Sequence, residues 1–512
     1  MSSLDHPRRS SASDTTPTTG QKAGARIEER ALDNGMKVLL VERHFDPVVA
    51  VMLWYRVGAR NEREHEAGVS HFLEHMMFKG SRSFGKGAID LVTTQLGGSN
   101  NAFTSADHTA YWFELASDRW EKALEIEADR MRGLLLDPTE YEAEKKVVLE
   151  ELSMGLDDPW RGLTELVQAA LFPRHPYRRP VIGYTDTLTQ LSVEEMRDYY
   201  ARFYHPGNAT LVVCGDIDPD EAFERVRHHF GDIPAGVPYE KADCRRPAAS
   251  EPPGEQRLTM RWPDSGKRLV MGWPSTHVGT KEDYAFDLVA AVLSAGRMAR
   301  LHRRIVLEKG LATSVSTQND ARVDHGAFWV FAECAQGTEP AQLEAAIDAE
   351  IARLRDEPIP AAELDRAKRI LAAGEAYESE TVSDLAEEIG EFAVDAHWKL
   401  SLETIRNIQK TDARFVQETA RKILTSDRRV VGWCLPRAEE ASATRGRSKA
   451  SARPAAKTNT KPAAKSTTKP AAKTAAKTPA KNRSTTTRGT IAARSKGKSA
   501  SKKAAARAGK SA

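Results

Sequence analysis

An apolar segment from Val69 to Phe78 carries three side chains that are costly to bury, namely His71, Glu74 and His75. The segment cannot be a simple core helix unless something satisfies those groups. Its apolar residues recur at the spacing of one helix face: Val69, Phe72, Leu73 and Met76. The pattern therefore predicts a helix that packs on a core and presents two imidazoles and a carboxylate from its other faces.

The order of these polar residues indicates a metal site. On a helix, His71 and His75 lie one turn apart on the same face, close enough to bind one metal ion. At about 100° per residue, Glu74 lies beside the pair on the far side of His71, where it can reach a water on the metal without being a ligand. This arrangement is the inverse of the commoner H-E-x-x-H motif. The alternative, a set of hydrogen-bonded core histidines, does not explain why all three groups occur together.

A second helix with a strong start signal is the expected source of the third ligand. Asp137 stands at the N-cap position, Pro138 at the first helical position, and Glu140 three residues after the cap. This pattern predicts a helix from Pro138 to about Met154. Catalytic zinc sites use three protein ligands and one water, so two histidines leave one ligand to be found.

One face of this second helix combines acidic and apolar side chains: Glu144, Val147, Val148 and Glu151. The two valines are expected to turn this face inward. We therefore expect Glu151 to be the third ligand and Glu144 to lie beside it, with Glu150 on the outward face. Two imidazoles and a carboxylate favour zinc, one ion per chain, although manganese or cobalt could occupy the same ligands.

Strand and helix patterns divide the chain into two α+β domains of similar size, at residues 27–234 and 257–436, joined by a polar, proline-rich linker at 235–256. The polar leader, residues 1–26, and the Lys/Ala/Pro-rich tail, residues 437–512, are predicted to be disordered. The first domain carries the zinc motif, and the second has no equivalent ligands.

Charge is distributed very unevenly along the chain. The tail contains 21 Lys and Arg but only two acidic residues, whereas the rest has an excess of 16 acidic residues. The tail is either an attachment for anionic partners such as nucleic acid or a solubilising extension. Four scattered cysteines give no disulfide framework or thiolate metal site. The sequence has no apolar run long enough to span a membrane and no secretory signal, so we expect a cytoplasmic protein.

The motifs together resemble the pitrilysin family of zinc metallopeptidases, to which insulin-degrading enzyme and the β subunit of the mitochondrial processing peptidase belong. H-x-x-E-H is followed some 75 residues later by E-x-x-x-x-x-x-E, and the segments "GGSNNAFTSADHTAYWFEL", "HPYRRPVIG" and "YHPGNATLVVCGDIDPDEA" also match. The similarity extends from about Ile27 to Leu435. It implies two tandem α/β-sandwich domains of similar topology, each a mostly antiparallel sheet covered by helices.

The resemblance also implies residue roles. Zinc would be bound by His71, His75 and Glu151, with Glu74 as the general base. Glu144 would support the site from outside the ligand set. The "NAFT" segment matches the family's substrate-binding edge strand, so Asn101 and Ala102 would meet the substrate backbone; the alternative for Asn101 is a turn residue. The implied activity is that of a zinc endopeptidase acting on peptides or small unfolded polypeptides.

One departure from the family pattern affects the expected partner. Active single-chain relatives carry an Arg and a Tyr, seven residues apart, that help to bind substrate and stabilise the oxyanion. Val306 and Thr313 occupy those positions here. We therefore expect a heterodimer in which a second family member supplies the Arg and the Tyr, with a homodimer as the alternative. A non-catalytic assembly or binding subunit is the competing function.

Overall fold

The computed structural model describes residues 18–237 and 254–437. They form an α+β fold with two β-sheets, each covered by helices. The two tandem, mostly antiparallel sheets implied by the resemblance are confirmed. Most of the linker, the first 17 residues of the leader and residues 438–512 of the tail lie outside the described residues, so the predictions for them stand as predictions.

The first sheet has seven strands. They are β1 (Thr18–Lys22), β2 (Ala25–Ala31), β3 (Lys37–Glu42), β4 (Val48–Tyr55), β5 (Ser99–Thr104), β6 (Thr109–Ala116) and β7 (Ala209–Gly215). The helices of this half are α1 (Val69–Met76), α2 (Ala88–Gln95), α3 (Glu121–Gly133), α4 (Pro138–Leu156), α5 (Pro159–Leu171), α6 (Thr185–Gln190), α7 (Val193–Phe203) and α8 (Pro219–Phe230).

The second sheet has five strands. They are β8 (Gln256–Trp262), β9 (Arg268–Pro274), β10 (Ala312–Asp320), β11 (Ala327–Cys334) and β12 (Val430–Pro436). The helices are α9 (Lys281–Ser294), α10 (Pro340–Asp356), α11 (Ala361–Glu378), α12 (Val382–Asp395), α13 (Leu400–Lys410) and α14 (Ala413–Ile423), and a π-helical segment covers His302–Glu308.

The two sheets share one topology. Neighbouring strands follow the order β5-β6-β4-β7-β3 in the first sheet and β10-β11-β9-β12-β8 in the second. In chain order, β3 to β7 therefore correspond to β8 to β12. Each sheet also contains one parallel pair at the same place, β3 with β7 and β8 with β12. The first sheet differs in its two additional strands, β1 and β2, which extend the edge beside β3.

One helix from each half packs on the sheet of the other half. The outer face of the first sheet, including Met52 and Trp54, packs against Leu385 and Ile389 of α12. Reciprocally, α5 of the first half packs Leu163, Val167 and Leu171 against the second sheet, where the partners include Val270 and Trp329. Two apolar cores, each built from residues of both halves, therefore join the halves.

The leader is ordered over part of the length that we predicted to be disordered. Residues Thr18–Lys22 form β1, and a turn at Ala23 and Gly24, both with positive φ, leads into β2. The prediction was wrong because polar contacts from the second half hold this strand. The Lys22 ammonium contacts the carboxylates of Glu375 and Glu388 and donates to a main-chain oxygen of α13 at 2.8 Å.

Among the described residues, no helix is both long and apolar enough to cross a bilayer.

Candidate metal centre

Helix α1 is built as the sequence predicts. Its four apolar positions, at the spacing of one helix face, are all buried in the core of the first half: Val69, Phe72, Leu73 and Met76. Because this stripe fixes the rotation of the helix, the faces that carry His71, Glu74 and His75 are directed away from the core centre. These three side chains are partly buried rather than enclosed.

Helix α4 begins where the cap signal predicts. The carboxylate of Asp137 accepts hydrogen bonds from the main-chain nitrogens of Thr139 and Glu140 at 2.8 and 3.1 Å, and Pro138 is the first helical residue. The helix ends at Leu156, two residues beyond the predicted end. The cap matters to the site because it fixes the register of the residues that α4 places opposite α1.

The predicted inward face of α4 needs one correction. Val148 is fully buried, but Val147 is 50% exposed. The buried stripe contains Tyr141, Glu144, Val148 and Leu152. Val147 lies about 100° around the helix from Val148, which turns it out of the core toward solvent. Glu150 is exposed as predicted.

Two imidazoles and one carboxylate meet between α1 and α4. One nitrogen each from His71 and His75 and one oxygen from Glu151 all lie within 4.8 Å of one another. Nε2 of His71 lies 3.8 Å from Oε1 of Glu151, and Nε2 of His75 lies 3.5 Å from Oε2. Two nitrogens and a carboxylate oxygen are a ligand set that zinc uses in catalytic sites, with a fourth position left open. The donor set therefore fits zinc.

The second nitrogen of His75 has a carboxylate partner. Its Nδ1 lies 3.0 Å from Oε1 of Glu144, which leaves Nε2 facing Glu151. The other oxygen of Glu144 lies 2.6 Å from Nζ of Lys79. The sequence predicted Glu144 but not Lys79. The only available signal was position, since Lys79 follows His75 by one helical turn, just beyond the end of α1.

Glu74 is held beside the cluster by the edge strand. The hydroxyl of Thr104, the last residue of β5, donates a hydrogen bond to Oε2 of Glu74 at 2.5 Å. Burial raises the pKa of Glu74 to about 7, although the Thr104 hydrogen bond opposes the rise. A carboxyl group with this pKa can both take and release a proton near neutral pH. Sequence reasoning missed Thr104 because the contact joins residues that are 30 positions apart.

The two imidazoles differ in their protonation. Burial and the neighbouring His75 lower the pKa of His71 to about 4, so that imidazole is neutral at pH 7. Burial also opposes protonation of His75, but its hydrogen bonds to Glu144 and Glu151 outweigh burial and raise its pKa to about 9. The hydrogen bond to His75 in turn lowers the pKa of Glu151. Ligand nitrogens must be deprotonated to bind a metal, so zinc binding at this cluster would depend on pH.

The predicted substrate residues lie on a free sheet edge. Asn101 and Ala102 belong to β5, which pairs only with β6 among the described strands. Asn101 is exposed and Ala102 is half-buried. Asn101 is therefore a strand residue here and not a turn residue. The same strand carries the threonine that contacts Glu74, so the edge runs directly past the cluster.

The second half offers neither an Arg nor a Tyr at the two positions where the family carries them. Val306 lies in the π-helical segment and packs, partly buried, on the core of this half. Thr313 is exposed near the start of β10, and its hydroxyl lies 3.4 Å from the main-chain oxygen of Glu333. By topology, β10 is the counterpart of β5, the edge strand of the first sheet.

Comparison with known proteins identifies both halves. Residues 37–185 match the model described as Insulinase (Peptidase family M16), and residues 190–371 match Peptidase M16 inactive domain. A Mycobacterium leprae protein named as an uncharacterized zinc protease is 32% identical over 319 residues, which are 60% of this chain and 68% of that protein. Zinc protease PqqE of Helicobacter pylori is 27% identical over 367 residues, covering 70% of this chain and 81% of that protein.

Solved structures show the same fold. A protease from Helicobacter pylori superimposes with a TM-score of 0.77 at 24% identity, covering 80% of this chain and 100% of that one. A peptidase M16 inactive domain from Pseudomonas fluorescens gives 0.72 at 20% identity, covering 80% and 98%. The two similar sequences, from Mycobacterium leprae and Helicobacter pylori, carry the name zinc protease, and zinc is the cofactor of this chain. The chain belongs to peptidase family M16, the insulinase or pitrilysin-type zinc proteases.

Proposed function

We propose that this chain is a zinc-dependent endopeptidase that hydrolyses peptides or small unfolded polypeptides. The observation that carries the proposal is the convergence of His71, His75 and Glu151 within 4.8 Å, with Glu74 on the same helix as the two imidazoles. A subunit used only for assembly gains nothing from three buried or half-buried groups aligned in this way, because their desolvation costs stability.

In this proposal zinc would be held by His71, His75 and the carboxylate of Glu151. Glu144 keeps Nε2 of His75 directed toward Glu151 by accepting a hydrogen bond from Nδ1 at 3.0 Å. Such carboxylate–histidine contacts fix the tautomer and the orientation of the ring. Glu144 is therefore a positioning residue, and Glu74 is the residue that handles the proton.

A bound zinc ion supplies Lewis acidity, which favours deprotonation of a water and polarises the scissile carbonyl. The chain supplies the proton transfers. Glu74 accepts a proton from the attacking water and delivers it to the departing amine. Thr104 holds one oxygen of Glu74 by its hydrogen bond at 2.5 Å, so that the other oxygen is left for this transfer.

The substrate would bind as an added strand. Successive residues of β5 direct their main-chain N–H and C=O groups alternately to β6 and to the free edge, so along Asn101 and Ala102 one set of these groups has no partner among the described strands. An extended peptide that pairs with this edge would pass the cluster, since β5 ends at Thr104 against Glu74. This mode reads the backbone of the substrate, which suits an enzyme that acts on unfolded peptides.

A second polypeptide would complete the site. Val306 and Thr313 can supply neither the cation nor the phenol that the family uses at these positions, and the loss of one oxyanion donor typically costs about two to three orders of magnitude in rate. We propose that this chain is the zinc-bearing subunit of a heterodimer whose partner carries the Arg and the Tyr. A homodimer remains the alternative.

The test of the metal site compares two glutamates on one helix. Glu151→Gln is expected to lose zinc, measured as metal per chain, whereas Glu150→Gln, on the outward face, keeps it. Glu74→Gln is expected to keep zinc and to cleave a quenched peptide at least about a hundredfold more slowly than the wild type. A zinc-loaded Glu74→Gln protein with wild-type activity would exclude the assigned base.

The test of the partner supplies the missing Arg and Tyr from a second polypeptide. Co-expression with a family member that carries the Arg and Tyr is expected to raise activity by orders of magnitude over the isolated chain. Equal activity of the isolated chain and the pair would refute the heterodimer. Zinc binding without cleavage, alone or with each tested partner, would instead support the non-catalytic assembly subunit.

A further inference from the structure

The start of helix α1 lacks an ordinary cap. Its N-cap residue is Gly68, with a φ of 97°, and a Cβ at this position would lie 2.5 Å from the main-chain oxygen of Ile182. Only glycine fits both the left-handed conformation and the close approach. Glycine has no side chain that could accept hydrogen bonds from the first turn, so those main-chain donors need another acceptor.

Glu62 supplies that acceptor from six residues upstream. Its Oε2 accepts a hydrogen bond from the main-chain nitrogen of Gly68, and its Oε1 accepts one from that of Ser70, both at 2.9 Å. The Glu62 side chain is buried, with 4% of the residue exposed. Burial raises the pKa of Glu62 to about 7, and the two hydrogen bonds from main-chain N–H groups at the positive end of the helix oppose that rise because they favour the ionised carboxylate.

Glu62 is itself held in place by a buried cation. Arg179, in the segment after α5, donates through Nη2 to the main-chain oxygens of Glu62 at 2.8 Å and Ala59 at 3.0 Å. Its Nη1 donates to the carboxylate of Glu64 at 2.9 Å. The loop that carries the Glu62 carboxylate is therefore fixed independently of the helix that the carboxylate caps.

Helix α1 is short, so its order depends on tertiary contacts, namely the packing of its apolar stripe and the Glu62 contact at its start. It has eight residues, and helices of this length are not stable alone. His71 directly follows Ser70, one of the two residues that Glu62 holds, and His75 lies one helical turn beyond His71. A change in the tilt or register of the first turn would move both imidazoles relative to Glu151, which stands on a different helix.

We propose that Glu62 is a positioning residue that fixes the start of α1 and thereby the geometry of the His71 and His75 pair for zinc. The inference rests on the proposed function of these two histidines. It assigns Glu62 no contact with substrate or metal. Glu62 acts through the main-chain nitrogens of Gly68 and Ser70. The affinity for zinc, as well as the stability of the fold, therefore depends on a carboxylate outside the ligand set.

The test compares two glutamates on the same loop. Glu62→Gln keeps the size of the side chain but replaces one acceptor oxygen with an amino group that faces a main-chain N–H. It is expected to weaken zinc binding about 10- to 100-fold, the usual effect of losing a contact behind a metal ligand. It is also expected to change the absorption spectrum of the cobalt-substituted protein. The control is Glu64→Gln, because Glu64 is exposed and also contacts Arg179; its zinc affinity is expected to stay within about twofold of the wild type.

Wild-type zinc affinity and cobalt spectrum in a folded Glu62→Gln protein would overturn the proposal. If that variant does not fold, Glu62→Asp keeps the charge on a shorter side chain. It is expected to bind zinc more weakly and to show faster hydrogen exchange across residues 69–76. Unchanged exchange and affinity, or failure of this variant to fold while Glu64→Gln folds, would overturn it too. A wild-type chain that binds no zinc would contradict the proposed function instead.

Discussion

A buried ion pair between the halves makes stability depend on pH. Nδ1 of His108, in the turn between β5 and β6, lies 2.9 Å from Oδ1 of Asp395, the last residue of α12. Burial opposes protonation of His108, but the attraction of Asp395 outweighs it and raises the pKa of His108 to about 9. The contact joins the β5–β6 hairpin, the proposed substrate-binding edge, to α12 of the second half, which packs on the first sheet.

The size of the effect follows from the two pKa values. An unfolded histidine has a pKa of about 6.5, and one pKa unit corresponds to about 1.4 kcal/mol. A folded-state pKa of about 9 for His108 therefore means that the proton stabilises the fold by at most about 3.5 kcal/mol. Because the folded pKa is the higher one, this stabilisation is complete below about pH 6.5. It is lost as the pH rises through the folded pKa.

The assay is urea unfolding of the wild type and of Asp395→Asn at several pH values from 6 to 10. The difference in unfolding free energy between the two proteins is expected to be largest at pH 6 and to shrink steadily up to the highest pH. Asp216→Asn is the control, because it removes the partner of the exposed His44 at 2.7 Å and should show little pH-dependent difference. A wild-type-to-Asp395→Asn difference that is the same at pH 6 and pH 10 would refute the reasoning.

Four further substitutions, one of them a control, test the packing and the site. Gly390→Ala places a Cβ 2.1 Å from the indole nitrogen of Trp54 and is expected to lower the unfolding free energy by about 1–3 kcal/mol; unchanged urea unfolding would contradict this. Val148→Ala should lower the unfolding free energy by about 2 kcal/mol in the same assay. Val147→Ala should lower it far less because Val147 is exposed. Equal losses of unfolding free energy in the two variants would contradict the described rotation of α4. Lys79→Met removes an ammonium that lies 2.6 Å from the carboxylate of Glu144. It is expected to weaken zinc binding about tenfold, measured by competition with a chelator. An unchanged zinc affinity would show that this contact does not support the site.

The sequence predicted the structure best where potential metal ligands lie on a segment with a clear helical spacing of apolar residues. His71 and His75 are one turn apart on a helix whose apolar stripe is unambiguous, so both the helix and its rotation could be predicted. The capping signal at Asp137 predicted the start of α4. The spacing of acidic and apolar residues along that helix favoured Glu151 over Glu150. These features depend on residues close together in the chain, and local rules apply to them directly.

Tertiary contacts account for the errors and omissions. Val147 was expected to be buried because it is apolar and follows the same spacing as Glu151, but the core lies on the side of Val148. Lys79 and Thr104 were missed because their roles depend on side chains from other elements, Glu144 and Glu74. For Thr104 the local sequence gives no signal of the contact, and for Lys79 the only signal is its position one helical turn after His75.

The exchange of helices between the halves could not be predicted from the chain either. Helices α5 and α12 are amphipathic, and amphipathicity shows that a helix has an apolar face but not which sheet covers it. The same limit explains the ordered strand β1, whose Lys22 is held by acidic side chains more than 350 residues away in sequence. The local sequence there is polar and gives no strand signal.

The exchange of α5 and α12 has an evolutionary consequence. A gene fragment that encodes only the first half would leave the outer face of its sheet, including Trp54 and Met52, in water. A fragment that encodes only the second half would lack the cover for Val270 and Trp329. Recombination between relatives can therefore exchange one half only if the incoming helix fits the resident sheet. The two halves must therefore co-vary as a matched pair at these two interfaces.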